Sequence, residues 1–253
     1  IPQRFASKIL SEINSISSTY IIEASSANIS LDEGFLPEIK ISNVDLFYSN
    51  GEPILSFNSL VTKFSLVDLV SGKFRVSSVT LDSANLSIVR KKNGSLNLDF
   101  GPENTSGVNE LNAIGILKEL DEFFISDEME RFQDLNLFGL TAQFEDQRTG
   151  RIYTVDGARF RLNREDQELF MGFDLALLSG GEGVATIEAN FKSTIGQMEG
   201  DFGFILNNFS AQDIASLSPE FGWLSILEAP ISGALRGSFD KDGQLKPLST
   251  TLQ

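Results

Sequence analysis

Between Phe57 and Phe100 the chain reads FNSLVTKFSLVDLVSGKFRVSSVTLDSANLSIVRKKNGSLNLDF, and its apolar side chains fall on alternate positions. Leu60, Phe64 and Leu66, then Phe74 and Val76, then Leu86 and Ile88, then Leu96, Leu98 and Phe100 are apolar, with mostly polar residues between them. A period of two is that of a β-strand with one greasy face and one wet face. What the protein does therefore turns on what covers the greasy face.

The same alternation predicts strands at 20–31, 38–48, 151–163, 169–177, 185–191, 198–206 and 231–239, with turn signals at Asn50-Gly51, Thr149-Gly150, Ser179-Gly180-Gly181 and Asp242-Gly243. One irregularity repeats. Ile39 and Ile41 sit on odd positions but Val44, Leu46 and Tyr48 on even ones, which predicts an extra residue, a β-bulge, near Ser42 and Asn43. In Val76, Val79, Leu81, Ala84, Leu86 and Ile88 the apolar spacing is 3, 2, 3, 2, 2, and Phe132, Leu135, Leu137, Leu140, Ala142 and Phe144 repeat it at an offset of 56 residues. A shared irregular spacing points to a repeated strand-bulge-strand unit.

Helical periodicity is confined to three stretches: Phe5, Ile9, Ile13 and Ile16; Leu111, Ile114, Leu117, Leu120 and Phe124; and Ala211 to Leu227, broken at Pro219. Consecutive strands joined by tight turns predict an antiparallel sheet. Three short helices are too few to cover it. Burial is worth about 25 cal/mol per Å², so an apolar stripe left to water is an aggregation liability. A second sheet, closure into a barrel, or an apolar ligand would each hide it.

Lys plus Arg number 20 and Asp plus Glu 35, a net charge of −15. A field of that sign repels phosphate backbones and anionic headgroups, which disfavours nucleic acid as a partner and adhesion to a charged bilayer surface. With 41% hydrophobic residues the chain has enough apolar mass for a packed core. No run approaches the roughly 18 apolar residues of a membrane-spanning helix. The first residue is Ile1 rather than Met, and the chain reads as a piece of a longer protein.

The chain has no His and no Cys, which removes the usual Ser-His and Cys-His nucleophile pairs and imidazole or thiolate metal sites. The absence of Cys suits the cytosol and equally a bacterial periplasm. No enzyme activity, cofactor or metal is expected. Asp240-Lys241-Asp242-Gly243 opens like a calcium loop but has Thr251 where the twelfth position needs an acid, so it reads as a hairpin tip. There are 21 Phe against one Trp and three Tyr; purely apolar rings on alternate strand positions fit a sandwich core or a lining for acyl chains.

Several segments in their order of occurrence resemble the AsmA-like envelope proteins, most closely the YhdP-type domain of alphaproteobacteria. They are YIIEASSANISLDEG, PEIKISNVDLFYSNGEPIL, LVDLVSGKFRVSSVTLDSANLSIVRKKNGSLNLDFG, FQDLNLFGLTAQFEDQRTGRIYTVDGARFRL, NNFSAQDIASLSP and APISGALRGSFDKDGQL. The resemblance implies a mainly β fold: a long, bent antiparallel sheet forming a groove, with about three short helices. Its parts would be a leading helix and first β-repeat (1–107), a connecting helix (108–125) and a second β-repeat region (126–253) continuing the same sheet. It also implies a periplasmic location, with an inner-membrane anchor outside this segment, and a lipid conduit toward the outer membrane whose partners are phospholipid acyl chains. The groove candidates are the inward-parity residues Leu60, Phe64, Leu66, Phe74, Val76, Leu86, Ile88, Leu96, Leu98, Leu135, Leu137, Phe173, Leu175, Phe202, Phe204, Leu235 and Phe239. The other reading is a structural β-domain of the envelope, a closed sandwich with no lipid cargo.

Overall fold

The computed structural model describes residues 20–49, 51, 53–71, 75–92, 124–126, 129–148, 150–179, 183–197, 199–217, 219–227 and 229–252. Strands β1 (Tyr20–Leu31), β2 (Pro37–Tyr48) and β3 (Pro53–Phe64) are followed by a helical turn, α1 (Leu66–Val70), and by β4 (Val76–Arg90). The chain continues with β5 (Asp134–Asp146), β6 (Arg151–Glu165), β7 (Glu168–Ser179), β8 (Ala185–Thr194) and β9 (Gly200–Ser210). Next come α2 (Ala211–Leu217), a 3-10 run (Pro219–Ile226), β10 (Pro230–Phe239) and β11 (Ser249–Leu252). Among the described residues these eleven strands form one sheet in sequence order, with β1 and β11 at its two edges. The extensive strand contacts are all between ladder neighbours. Among the described residues the sheet is therefore open, a single layer rather than a sandwich or a closed barrel.

Nine of the ten strand pairs are antiparallel; β4 and β5 run parallel. A hairpin cannot join parallel neighbours, and the long connection between Arg90 and Asp134 meets that need. Their register is Val79 to Leu135, Leu81 to Leu137, Leu86 to Ala142 and Ile88 to Phe144. Each partner lies 56 residues on, the offset of the repeated spacing.

The parity switches have a common origin. Ser25, Asn43, Asn58, Ser83 and Gly139 occupy one transverse row across β1 to β5, since the pairs on either side of them are continuous in register. Asn43 (φ 50°), Ser83 (φ 56°) and Gly139 (φ 65°) are left-handed, and in β6 so is Gly157 (φ 65°), adjacent to the partner of Leu140. Two consecutive residues then point to the polar side, as Ser42-Asn43, Asp82-Ser83 and Asp156-Gly157 do, and the apolar face resumes beyond them. The expected bulge near Ser42 and Asn43 is corrected in one respect: the β1–β2 register carries no shift there, so both strands switch opposite each other and no residue is extra. At Gly157 the ladder to β7 does shift, between Asp156 and Arg159, and β7 alternates without a switch. The apolar residues flanking this crease are among the most buried of the protein: Ala84 and Ala158 are 0% exposed, Val44 2% and Ile41 5%.

Among the described residues none of the three expected helices is borne out. The stretches 4–16 and 108–123 lie outside the described residues. Ala211–Leu227 breaks before Pro219 as expected, but into one short turn of seven residues and a 3-10 run of eight. Helix nucleation is costly and short helices need a packed face to persist, whereas Trp223 and Ile226 are exposed. The described residues thus hold helical turns but no helix of architectural length. Leu66 is a second correction. It belongs to α1 rather than to a strand, because Ser65 caps that turn by accepting the Asp68 N–H at 3.4 Å.

Candidate functional site: the apolar face

Cross-strand partners place their side chains on one face, so the registers can be followed across the sheet. Ala27, Ile41, Leu60, Leu81, Leu137, Phe160, Phe173, Ala189, Phe204, Leu235 and Thr250 form one transverse row, one residue from each of the eleven strands. Ten of the eleven are apolar. At roughly 4.8 Å between strands the row is about 48 Å long. A neighbouring row runs from Ile29 through Ile39, Thr62, Val79, Leu135, Leu162, Met171, Phe191 and Phe202 to Gly237.

Of the groove candidates, Leu60, Leu137, Phe173, Phe204 and Leu235 belong to the first row and Leu135 and Phe202 to the second. Phe64 pairs with Val76, Leu175 with Ile187, and Phe239 with Gly200, all on that face. Leu86 and Ile88 take their places in the β4 ladder opposite Ala142 and Phe144. Phe74, Leu96, Leu98 and the neighbouring Phe100 lie outside the described residues, and Leu66 is off the sheet. Most of these side chains are half-buried. Rings meet along the face, Phe144 with Tyr153 at 6.0 Å and Phe202 with Phe239 at 5.4 Å between centroids.

Three features at one margin of this face were not singled out as site residues from sequence. Phe124 and Phe132 pack with Leu162 and Leu169 into a buried cluster flanked by Val76, Val79, Met129, Leu135, Phe160, Met171 and Ile195. Arg164, opposite Leu169, is a cation at an inward position of β6, and that anomaly of parity is the signal by which it could have been found. Asp68 is 6% exposed, and its Oδ2 accepts no hydrogen bond within the described structure. Arg131 Nε lies 3.4 Å from that oxygen and Arg75 Nη1 3.9 Å from Oδ1.

The polar face carries an open depression of about 950 Å³ over β6 to β8. Of its charged side chains, Arg159 pairs with Asp174 at 2.8 Å, and Lys192 pairs with the neighbouring Glu168 at 2.9 Å and lies 5.0 Å from the Phe170 ring. This is a solvated outer surface, and the apolar face is the feature that water cannot satisfy. The Asp240 loop is a hairpin tip, its Oδ1 accepting the N–H groups of Asp242 and Gln244 at 2.9 Å each. Among the described residues no group of His, Cys, Asp or Glu is placed to hold a metal ion, and no helix is long and apolar enough to cross a membrane.

No protein-family model and no curated protein matches this chain.

Proposed function

We propose that the apolar face is a groove for hydrocarbon and that the protein is a non-enzymatic lipid-binding segment along which phospholipid tails lie or move. The observation that carries the reading is the row from Ala27 to Leu235: ten strands present apolar side chains in register, and no second sheet packs on them among the described residues. Leaving such a row to water is costly at about 25 cal/mol per Å², whereas acyl tails cover it without directional contacts.

The crease supports the bend of the groove. Where two consecutive residues point outward on each strand, the polar side of the sheet is the longer arc. The sheet then curls toward its apolar side over β1 to β6. The near-complete burial of Ala84, Ala158, Val44 and Ile41 on the inner side of the crease fits that curl. Many similar weak contacts suit a conduit, because a deep well at one position would trap the lipid. The resemblance to AsmA-like, YhdP-type envelope proteins leads to the same reading, and with it to a periplasmic segment of an inner-membrane-anchored protein that moves phospholipid toward the outer membrane.

Organic-solvent extraction of purified protein followed by mass spectrometry tests this. Phospholipid is expected with the wild type. The triple variant Leu137→Asp, Phe173→Asp, Leu235→Asp is expected to lose it while keeping a β-type circular dichroism spectrum. Lipid-free wild-type protein, or a folded triple variant that still carries lipid, would refute the reading and leave a domain whose apolar face is closed by protein.

A further inference from the structure

We propose that residues 124–126 and 129–133 form a strap that closes one margin of the apolar face, and that Arg164 fastens it, so that its release limits how fast hydrocarbon enters. This rests on the reading of the face as a lipid groove.

The strap crosses the ends of the central strands. Glu38, Lys63, Ser78, Asp134 and Asn163 lie in one row of the ladders, and the strap sits beyond that row, joined to the sheet by Gln133 N–H to the Ser77 carbonyl at 2.8 Å. Its underside is Phe124 and Phe132, whose rings lie 6.1 Å apart on Leu162 and Leu169. These are groove positions, so the strap occupies area that a tail would otherwise cover.

The two sides are fastened differently. Toward β6, the Arg164 guanidinium donates to the carbonyls of Met129 at 2.9 Å and Phe124 at 3.3 Å, and its Nε donates to the Asp166 carbonyl at 3.1 Å. One guanidinium nitrogen, Nη1, thus holds two backbone groups of the strap. Toward α1 the attachment is ionic: Glu130 pairs with Arg75, and Arg131 with Asp68. Asp68 is the weak member, since a buried carboxylate is stable only with well-formed hydrogen bonds and its Oδ2 has none. A strap sealed by packing alone would need no such charges. Gln133 stays in the sheet, its N–H on Ser77 and its carbonyl taking the Arg164 N–H at 2.7 Å, so loosening the Arg164 guanidinium and the imperfect ion cluster frees the outer part of the strap and its two rings without unfolding the sheet.

Arg164 is a positioning residue, and the test separates rate from capacity. Uptake of a fluorescently labelled single-chain fatty acid by delipidated protein is followed in time and at saturation. Arg164→Met, which keeps the apolar stem but removes the donors, is expected to load several-fold faster with the same final amount. Glu130→Gln, at a more exposed position, is expected to load faster by a smaller factor, and it carries the test if Arg164→Met does not fold. Wild-type rates in the folded variants would overturn the strap, as would a change in capacity without a change in rate. Absence of uptake by the wild type would instead refute the groove itself, and the strap with it.

Discussion

Gly237 offers a direct check on how the apolar face is packed. It pairs with Phe202 across β9 and β10, and a Cβ built there would stand 2.5 Å from Phe202 Cζ, 2.9 Å from Phe202 Cε1 and 2.6 Å from Leu248 Cδ2. The Phe202 ring therefore lies over the glycine, where it also meets Phe239. Two terms act on Gly237→Ala. Removing a glycine from a strand interior gains about 0.5–1 kcal/mol by restricting the unfolded chain. Displacing a packed ring costs about 1–3 kcal/mol. The net expectation is a loss of about 1 kcal/mol, because the ring is only half-buried and Leu248 is exposed enough to turn away.

The decisive measurement is a double-mutant cycle by urea denaturation. Phe202→Leu alone gives up the ring contact, about 0.5–1.5 kcal/mol, but clears the space above Gly237. In that background Gly237→Ala should be neutral or stabilising by about 0.5 kcal/mol, so its effect changes sign, with a coupling of about 1–2 kcal/mol. If Gly237→Ala costs the same in both backgrounds, the ring does not lie over the glycine, and the packing inferred for this end of the face is wrong.

Three further outcomes follow from other parts of the fold. At the crease, Gly139→Val forces a branched side chain into a left-handed conformation, while the nearest heavy atom to its Cβ is 3.7 Å away; the loss should be about 1–2 kcal/mol and wholly conformational. Gly172→Val, in open space at an ordinary φ, should be neutral or better, and similar losses at both sites by chemical denaturation would contradict the crease. The hydrogen bond from Lys63 holds the Asp32 carboxyl below its usual 3.8, helped by the Leu36 N–H, and the same bond holds Lys63 above its usual 10.5. The depressed acid contributes above pH 3.8 and loses its contribution as pH falls through its folded value; the raised base contributes below 10.5 and loses it as pH rises through its folded value. The stability gap between wild type and Lys63→Met should therefore be flat at neutral pH and shrink outside those limits, and a gap unchanged in acid would show that the pair is not formed. Trp223, the single Trp, is 64% exposed, so its fluorescence should be that of a solvated indole and readily quenched by acrylamide; a shielded indole would show that the 3-10 run is covered.

Strand existence and the sharing of one face were legible because side-chain alternation is a local consequence of extended backbone. The residues Leu60, Leu137, Phe173, Phe204 and Leu235 are far apart in sequence yet in one row because each keeps the inward parity of its strand. The mechanism of the parity switch was not legible. A spacing of three says only that two consecutive residues face outward, and an inserted residue or a left-handed one produces the same pattern. Leu66 has strand parity only if the alternation runs past Ser65, although Ser65 followed by Asp68 is a spacing that starts helices. The strap was hidden for another reason: its contacts join residues 35 to 40 positions apart through backbone carbonyls, which leave no mark on side-chain pattern.

The offset of 56 residues has a physical consequence beyond repetition. Parallel neighbours in register must bend at the same level, or the crease of one strand would drive its apolar residues to the wrong side of the other. Ser83 opposite Gly139 meets that condition, and it holds only if the spacing 3, 2, 3, 2, 2 is the same in both strands. The irregular spacing is thus a requirement of the β4–β5 junction, where the neighbours run parallel and no hairpin enforces alignment. Insertion of a single residue between Gly139 and Ala142 would leave Gly139 opposite Ser83 but turn Ala142 and Phe144 to the polar side. Exchange of one apolar residue for another along the row should matter far less. On the proposed reading a hydrocarbon partner would test only whether the surface is continuous, and continuity is set by the alignment of creases across the strands, more than by the identity of any residue between them.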